Sequence, residues 1–198
     1  MLKLLKRMNL PNRLTLLRIL LVPAFCAFIC LETGWAQLTA ALIFVAAALT
    51  DLLDGRIARS QNLVTDFGKL MDPIADKLLV TAAMVFLTAQ SRMNAGMCVA
   101  FIAREFIISG FRMLAASRGV VIAAGPLGKY KTAAQMAAIV ASILCLPVGD
   151  GPSLLSAPLK GAAPVIAAAL MWIALALAVV SCVDYIRRNR GVMDTTNI

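Results

Sequence analysis

Residues 51–77 read DLLDGRIARSQNLVTDFGKLMDPIADK, and five of the ten acidic residues of the chain fall there: Asp51, Asp54, Asp66, Asp72 and Asp76. The flanks are apolar. No charge stands between Gly34 and Asp51, and none from Leu78 to Gln90. The stretch therefore reads as the facing ends of two apolar helices with a short connector between them. A charge at the middle of a membrane helix costs about 2.5–3.5 kcal/mol, and charges kept within such helices are usually functional.

The spacing decides what these acids can do. Asp51 and Asp54 are three apart and share a face at the end of the earlier helix. Asp72 and Asp76 are four apart and share a face at the start of the later one. A short connector makes the two helices antiparallel neighbours, so four carboxylates converge near the membrane surface. Two like charges about 4 Å apart repel by about 4 kcal/mol at an effective dielectric of about 20. Four such groups stay ionised together only if cations neutralise them. The chain has no histidine, so the ligands available are hard oxygens, which suit Mg²⁺ or Mn²⁺ in a one- or two-metal site.

Small residues accompany the acids. Gly55 follows Asp54, Ala58 lies about a turn later, and Gly68 precedes Asp72 by one turn; missing side chains let a bulky group approach the backbone. Arg59 offers a planar fork suited to phosphate oxygens. Together these residues suggest phosphoryl transfer from a nucleotide. Any single Asp reads equally well as a solvated helix cap, and it is the paired spacing of four that argues for a site. The same carboxylates leave open a cation transporter, although its acids would lie near mid-bilayer on broken helices. A non-catalytic assembly subunit is a third reading.

The rest of the chain sets the membrane frame. Of 198 residues, 61% are hydrophobic and 15% charged, and the mean hydropathy is +0.87. Soluble domains are roughly 45–50% apolar and about 25% charged, which excludes a soluble or disordered protein. The net charge of +9 does not point to nucleic acid, because the basic residues sit among apolar runs instead of along one soluble face. Without histidine there is no Ser-His-Asp triad and no His-ligated metal. The five cysteines (Cys26, Cys30, Cys98, Cys145 and Cys182) form no CxxC pair and read as small apolar packing residues.

Crossing a bilayer takes about 20 mostly apolar residues in a helix. Six candidates meet this: residues 14–31, 34–54, 70–90, 93–117, 129–148 and 161–186. The expected fold is an all-α integral membrane protein, a single domain over 1–198 forming a six-transmembrane-helix bundle. Long apolar runs without alternation favour helices over a barrel. With the N-terminus inside, 16 of the 19 basic residues fall on the inner side, leaving Arg92 and Lys160 outside and Arg104 within the fourth span. This positive-inside asymmetry places both termini in the cytoplasm. Residues 1–10 (MLKLLKRMNL) read as a short interfacial helix on anionic lipid. Arg18 inside the first apolar run, and the lack of a small-x-small cleavage site, oppose a signal peptide.

Asp51-x-x-Asp54-Gly55-x-x-Ala58-Arg59, eight residues, then Gly68-x-x-x-Asp72-x-x-x-Asp76 resembles the signature of the CDP-alcohol phosphotransferases, with all eight positions present. The resemblance implies a six-span membrane enzyme, commonly homodimeric, which transfers a substituted phosphate from a CDP-linked donor to an alcohol and releases CMP. It implies that Asp51, Asp54, Asp72 and Asp76 hold the metal, and that Asp76 is also the base for the acceptor hydroxyl. It implies that Gly55, Ala58 and Gly68 line the cytidine pocket and that Arg59 holds the diphosphate. Asp66 falls outside the signature.

Further stretches resemble the bacterial branch of the family that makes phosphatidylglycerol phosphate: Pro11-Asn12-x-x-Thr15-x-x-Arg18, Arg104-Glu105 with Arg112, Gly128-Lys129-x-Lys131-Thr132 ahead of Gln135-Met136, and Asp184-Tyr185. That branch implies CDP-diacylglycerol as donor, sn-glycerol 3-phosphate as acceptor and a place in the bacterial cytoplasmic membrane with the active site facing the cytoplasm. The first rival keeps the chemistry and changes the acceptor to inositol phosphate, serine or another alcohol.

The residues give their own hint of an anionic acceptor. Arg112, Lys129, Lys131, Arg187 and Arg188 all reach the membrane level of the Asp cluster, where they could hold a phosphate-bearing acceptor. The plain alternative is that they are ordinary positive-inside residues. Asn12, Thr15 and Arg18 form one stripe that either completes the nucleotide site or caps and anchors the first helix. Arg104 and Glu105 read as a structural ion network rather than as catalysis, and Glu105 and Arg112, seven apart, are expected to be able to pair.

Overall fold

A computed structural model describes residues 10–31, 33–60, 66–120, 122, 125–147 and 161–193; for residues 10–12, 51–60, 66–73, 76, 126, 192 and 193 it describes the backbone alone. Among the described residues there are six long helices and no strand. They are α1 (Leu10–Ile29), α2 (Gly34–Ser60), α3 (Asp66–Ala89), α4 (Ala95–Ser117), α5 (Pro126–Leu144) and α6 (Ala163–Arg188), followed by one 3₁₀ turn, Arg190–Met193. The interfacial helix expected over residues 1–10 lies outside the described residues except for Leu10, which opens α1.

The helices correspond one for one to the apolar runs, and several extend past them into charged sequence. The polar ends follow ordinary helix rules. The turn of Pro126 opens α5 without a lost hydrogen bond, because the first N–H groups of a helix have no partner within it. Asn94 caps α4 by accepting from the Gly96 N–H at 2.8 Å. α4 closes with Gly119 left-handed at φ 72°, while the Val120 N–H reaches back to the Ala115 carbonyl at 2.9 Å. This closure needs a residue that tolerates positive φ. α3 closes the same way, but the left-handed residue is Ser91, at φ 54°, with the Arg92 N–H on the Leu87 carbonyl at 2.8 Å.

α1 packs on both α2 and α3, and α5 packs on α6 and α2, so the core runs through the whole bundle. Its centre holds Phe25, Phe44, Met84, Leu87, Phe101, Ile139 and Ile143. Between them stand fully buried alanines, among them Ala40, Ala47, Ala83, Ala138 and Ala174. Small residues let helix backbones approach closely, which supplies the packing when lipid removes the hydrophobic drive between helices.

Large apolar side chains also cover the outside, including Trp35, Val99, Phe106, Met113, Val165 and Trp172. A water-facing surface of this kind would aggregate, whereas a lipid-facing one is solvated. Among the described residues, α6 is the one helix both long and apolar enough by itself to cross a membrane; shorter apolar helical stretches are Gly34–Thr50 and Lys77–Ala89.

Consecutive helices reverse direction. The ends of α2, α4 and α6 therefore meet the starts of α1, α3 and α5 at one end of the bundle. Contacts at each level bear this out. Gln37, near the start of α2, donates to the Pro147 carbonyl just past α5. Gln135 of α5 donates to the Met84 sulfur of α3 at 3.3 Å midway. Arg112 and Tyr185, at the ends of α4 and α6, meet at the other end.

Candidate functional site

The end of the bundle where Arg112 meets Tyr185 is also the end to which the fold brings the acidic signature. Positions 51, 54, 55, 58 and 59 occupy the last turns of α2, and positions 68, 72 and 76 the first turns of α3. The side chains of Asp51, Asp54, Asp72 and Asp76, with those of Gly55, Ala58, Arg59 and Gly68, lie outside the described residues, as does that of Asn12. Among the described residues no cluster of three or more His, Cys, Asp or Glu could hold a metal. The donor set at the signature positions is four carboxylates, whose hard oxygens fit Mg²⁺ or Mn²⁺.

Around that end the described side chains form two arrangements. In the first, Glu105 of α4 pairs with Lys131 of α5 and with Arg104, whose Nη1 stands 3.2 Å from the same carboxylate oxygen. Arg104 Nη2 donates to Ser181 Oγ of α6 at 3.0 Å, and Ser181 in turn donates to the Ala178 carbonyl at 3.0 Å. Lys131 is only 3% exposed and Glu105 24%. Lys77, one residue past Asp76, lies within electrostatic reach of Glu105. One carboxylate thus joins cations of α4 and α5, and through Arg104 the arrangement reaches α6.

In the second arrangement, the Arg112 guanidinium lies 5.5 Å from the centre of the Tyr185 ring, and its Nε donates to Tyr185 Oη at 3.4 Å. The ring is held edge-on by Phe111 at 5.7 Å. The geometry corrects one sequence expectation. Glu105 does not pair with Arg112: it turns toward Lys131 and Arg104, and Arg112 finds an aromatic face instead. Seven residues bring two positions to nearly the same face of a helix but leave them about 10 Å apart along its axis, and a nearer cation on α5 wins the carboxylate.

The remaining expected residues divide by exposure. Lys129, in the first turn of α5, and Arg187, in the last turn of α6, are exposed. Neither they nor Arg112 forms an ion pair among the described residues. Arg188 pairs with Asp184 one turn back at 2.8 Å. Thr15 and Arg18 are both buried, one turn apart on the inward face of α1, and Arg18 faces Phe44, Leu79 and Met136 from three other helices.

Ser181 was not among the residues expected from sequence, and Tyr185 was noted only within the Asp184-Tyr185 stretch, with no role of its own. A signal was present: α6 buries Ala174, Ala178, Ser181 and Tyr185 at spacings of three and four. A polar residue within an otherwise apolar buried stripe needs a partner. Chemically, this end of the bundle offers four carboxylates for a divalent cation and exposed Arg and Lys side chains for a phosphate.

Over 202 aligned residues the chain is 39% identical to the CDP-diacylglycerol–glycerol-3-phosphate 3-phosphatidyltransferase of Bacillus subtilis, covering 96% of this chain and 99% of that one. It is 38% identical over 179 residues to the protein of the same name from Rickettsia bellii, covering 90% and 94%. It is 44% identical over 135 residues to that of Salmonella typhimurium, covering 66% and 74%. This sets aside the transporter and the non-catalytic subunit as readings of the acidic cluster. The model of the CDP-alcohol phosphatidyltransferase family matches residues 8–180, and the chain belongs to that family.

Proposed function

We propose that the chain transfers the phosphatidyl group of CDP-diacylglycerol to sn-glycerol 3-phosphate, yielding phosphatidylglycerol phosphate and CMP. The observation that carries this reading is the match to the Bacillus subtilis enzyme of that name, which extends over 96% of this chain and 99% of the relative. The exposed cations Arg112, Lys129 and Arg187 beside the acidic helix ends support a phosphate-bearing acceptor.

In this reading Asp51, Asp54, Asp72 and Asp76 hold one or two Mg²⁺ or Mn²⁺ ions, which neutralise the donor diphosphate when bound. Gly55, Ala58 and Gly68 leave room for the cytidine, Arg59 grips the diphosphate, and Asn12 and Thr15 complete that pocket. Asp76 takes the proton of the acceptor's primary hydroxyl. The freed oxygen attacks the lipid-side phosphorus in line and CMP leaves. Arg112, Lys129, Lys131 and Arg187 set the acceptor phosphate at the same end.

The six helices each cross the bacterial cytoplasmic membrane, with both termini and the acidic end on the cytoplasmic side. The acyl chains of the donor then stay in lipid while its CDP head reaches water. The working form is a homodimer. The deciding assay gives the purified protein CDP-diacylglycerol and a divalent cation, then measures CMP release with glycerol 3-phosphate, inositol phosphate or serine. Release above buffer with glycerol 3-phosphate alone is expected; release with another acceptor instead would overturn the choice of substrate.

A further inference from the structure

At the bundle end opposite the acidic signature, a groove of about 490 Å³ opens between the α3–α4 turn and α6. α3 has 24 residues and so spans about 36 Å, which separates this groove from the proposed catalytic end by the thickness of a membrane. Its volume falls within the range of about 300–1,000 Å³ common for ligand sites.

The lining changes character along its length. Ser91, Arg92 and Asn94 stand at the turn, and Met97, Met171 and Trp172 follow toward the middle of the helices. Among the described residues no acidic side chain lines it, and Arg92 has no ion-pair partner among them. The positive-inside pattern leaves only Arg92 and Lys160 of 19 basic residues on this side, so a cation here runs against the general distribution. On α6 the groove continues into the lipid-facing surface through Trp172 and its neighbour Ile173, both exposed.

A cation at one end and sulfur and indole surface at the other match one kind of occupant: an amphiphile with a negative head. We infer that this groove holds an anionic phospholipid of the leaflet opposite the acidic end, with its phosphate on Arg92 and one acyl chain along Met97, Met171 and Trp172. A guanidinium suits a phosphate diester through paired N–H donors, and methionine accommodates a mobile chain. The inference uses the membrane placement of the bundle and not the identity of the reaction.

The chain has two tryptophans, so in a Trp35→Phe background fluorescence reports Trp172 alone. The full-length variant is reconstituted in phosphatidylcholine vesicles containing brominated phosphatidylglycerol or, at equal fraction, brominated phosphatidylcholine. Expected is preferential quenching by the anionic lipid, equivalent to a local enrichment of about fivefold, the contribution of one basic residue at an anionic surface. Arg92→Ala should abolish the preference and Arg92→Lys should retain much of it, with CMP release unchanged in both. Equal quenching by the two lipids, or a preference that survives Arg92→Ala, overturns the inference. So does an absence of quenching by either lipid, which would mean that protein fills the groove. Loss of the preference in sodium phosphate but not in sodium chloride of equal ionic strength would reassign Arg92 to the free anion.

Discussion

Glu105 on α4 holds Lys131 on α5 in a partly buried ion pair, and the oxygen that does so also takes Arg104 at 3.2 Å. Burying charges is costly, and removing one partner of a buried pair is costlier than never having had the pair, because the survivor is left uncompensated, typically at about 3–5 kcal/mol. Glu105→Ala removes the carboxylate that both cations share and should destabilise by up to about 3 kcal/mol, with Lys131→Met a smaller loss, since Arg104 still answers the carboxylate. The double variant should cost less than the sum of the single ones. Thermal unfolding in detergent across the four proteins measures this cycle; strict additivity would mean that the pair does not couple α4 to α5.

The contact between Arg112 and Tyr185 makes a different prediction. An exposed guanidinium such as that of Arg112 gains about 0.5–1 kcal/mol over an aromatic face, and the 3.4 Å bond to the hydroxyl is long enough to add little. Tyr185→Phe should therefore leave Arg112 in place and change kcat/KM for glycerol 3-phosphate by less than about threefold, while Tyr185→Leu, which removes the face, should raise KM by about fivefold. Arg112→Ala should raise that KM further without an equal fall in kcat, as expected for a residue that binds the acceptor phosphate. Steady-state CMP release against acceptor concentration separates these outcomes.

The apolar runs made the six helices legible because a span and its helix share one cause, a long stretch with nothing to hydrate. Their ends were less legible. α3 begins at Asp66 rather than near residue 70 and α5 at Pro126 rather than Lys129, because a helix continues beyond the lipid as long as its backbone bonds hold, and a proline in the first turn costs nothing. The acidic signature stands out in the sequence by its spacing, and the backbone places its two halves at the end of α2 and the start of α3. The polar partners were not: Arg104 finds Ser181 and Arg112 finds Tyr185 across 77 and 73 residues, and only the packing of α4 on α6 sets those distances. Residue spacing within one helix wrongly suggested Arg112 for Glu105 because it says nothing about a nearer cation on a neighbouring helix.

Ser91 closes α3 in the left-handed region at φ 54°, where glycine serves at the end of α4. A left-handed conformation costs an ordinary L-residue about 1–2 kcal/mol, and glycine avoids this at the expense of a more flexible unfolded chain, roughly 0.5–1 kcal/mol. Ser91→Gly should therefore stabilise slightly, raising the Tm by about 2 °C, whereas Gly119→Ala should lower it by a similar amount or more. A fall in Tm for Ser91→Gly would mean that the serine side chain contributes more than its backbone costs.

The four carboxylates make the strongest prediction about chemistry. If Asp51, Asp54, Asp72 and Asp76 share a divalent cation, chelation with EDTA should abolish CMP release and Mg²⁺ or Mn²⁺ should restore it, with Ca²⁺ much less effective because its larger shell suits a different geometry. Asp72→Asn keeps the size of the side chain and removes its charge, so it should raise the metal concentration needed for half activity as well as lower the rate. Asp76→Asn removes both a ligand and the base, and a positioned base alone contributes about 10²–10⁴-fold; its activity should stay lower than that of Asp72→Asn even at saturating metal. Asp66→Asn, outside the pattern, should change neither quantity. Full activity in EDTA would remove the metal from the reaction, and an Asp76→Asn variant rescued completely by excess metal would show that the residue is a ligand and not the base.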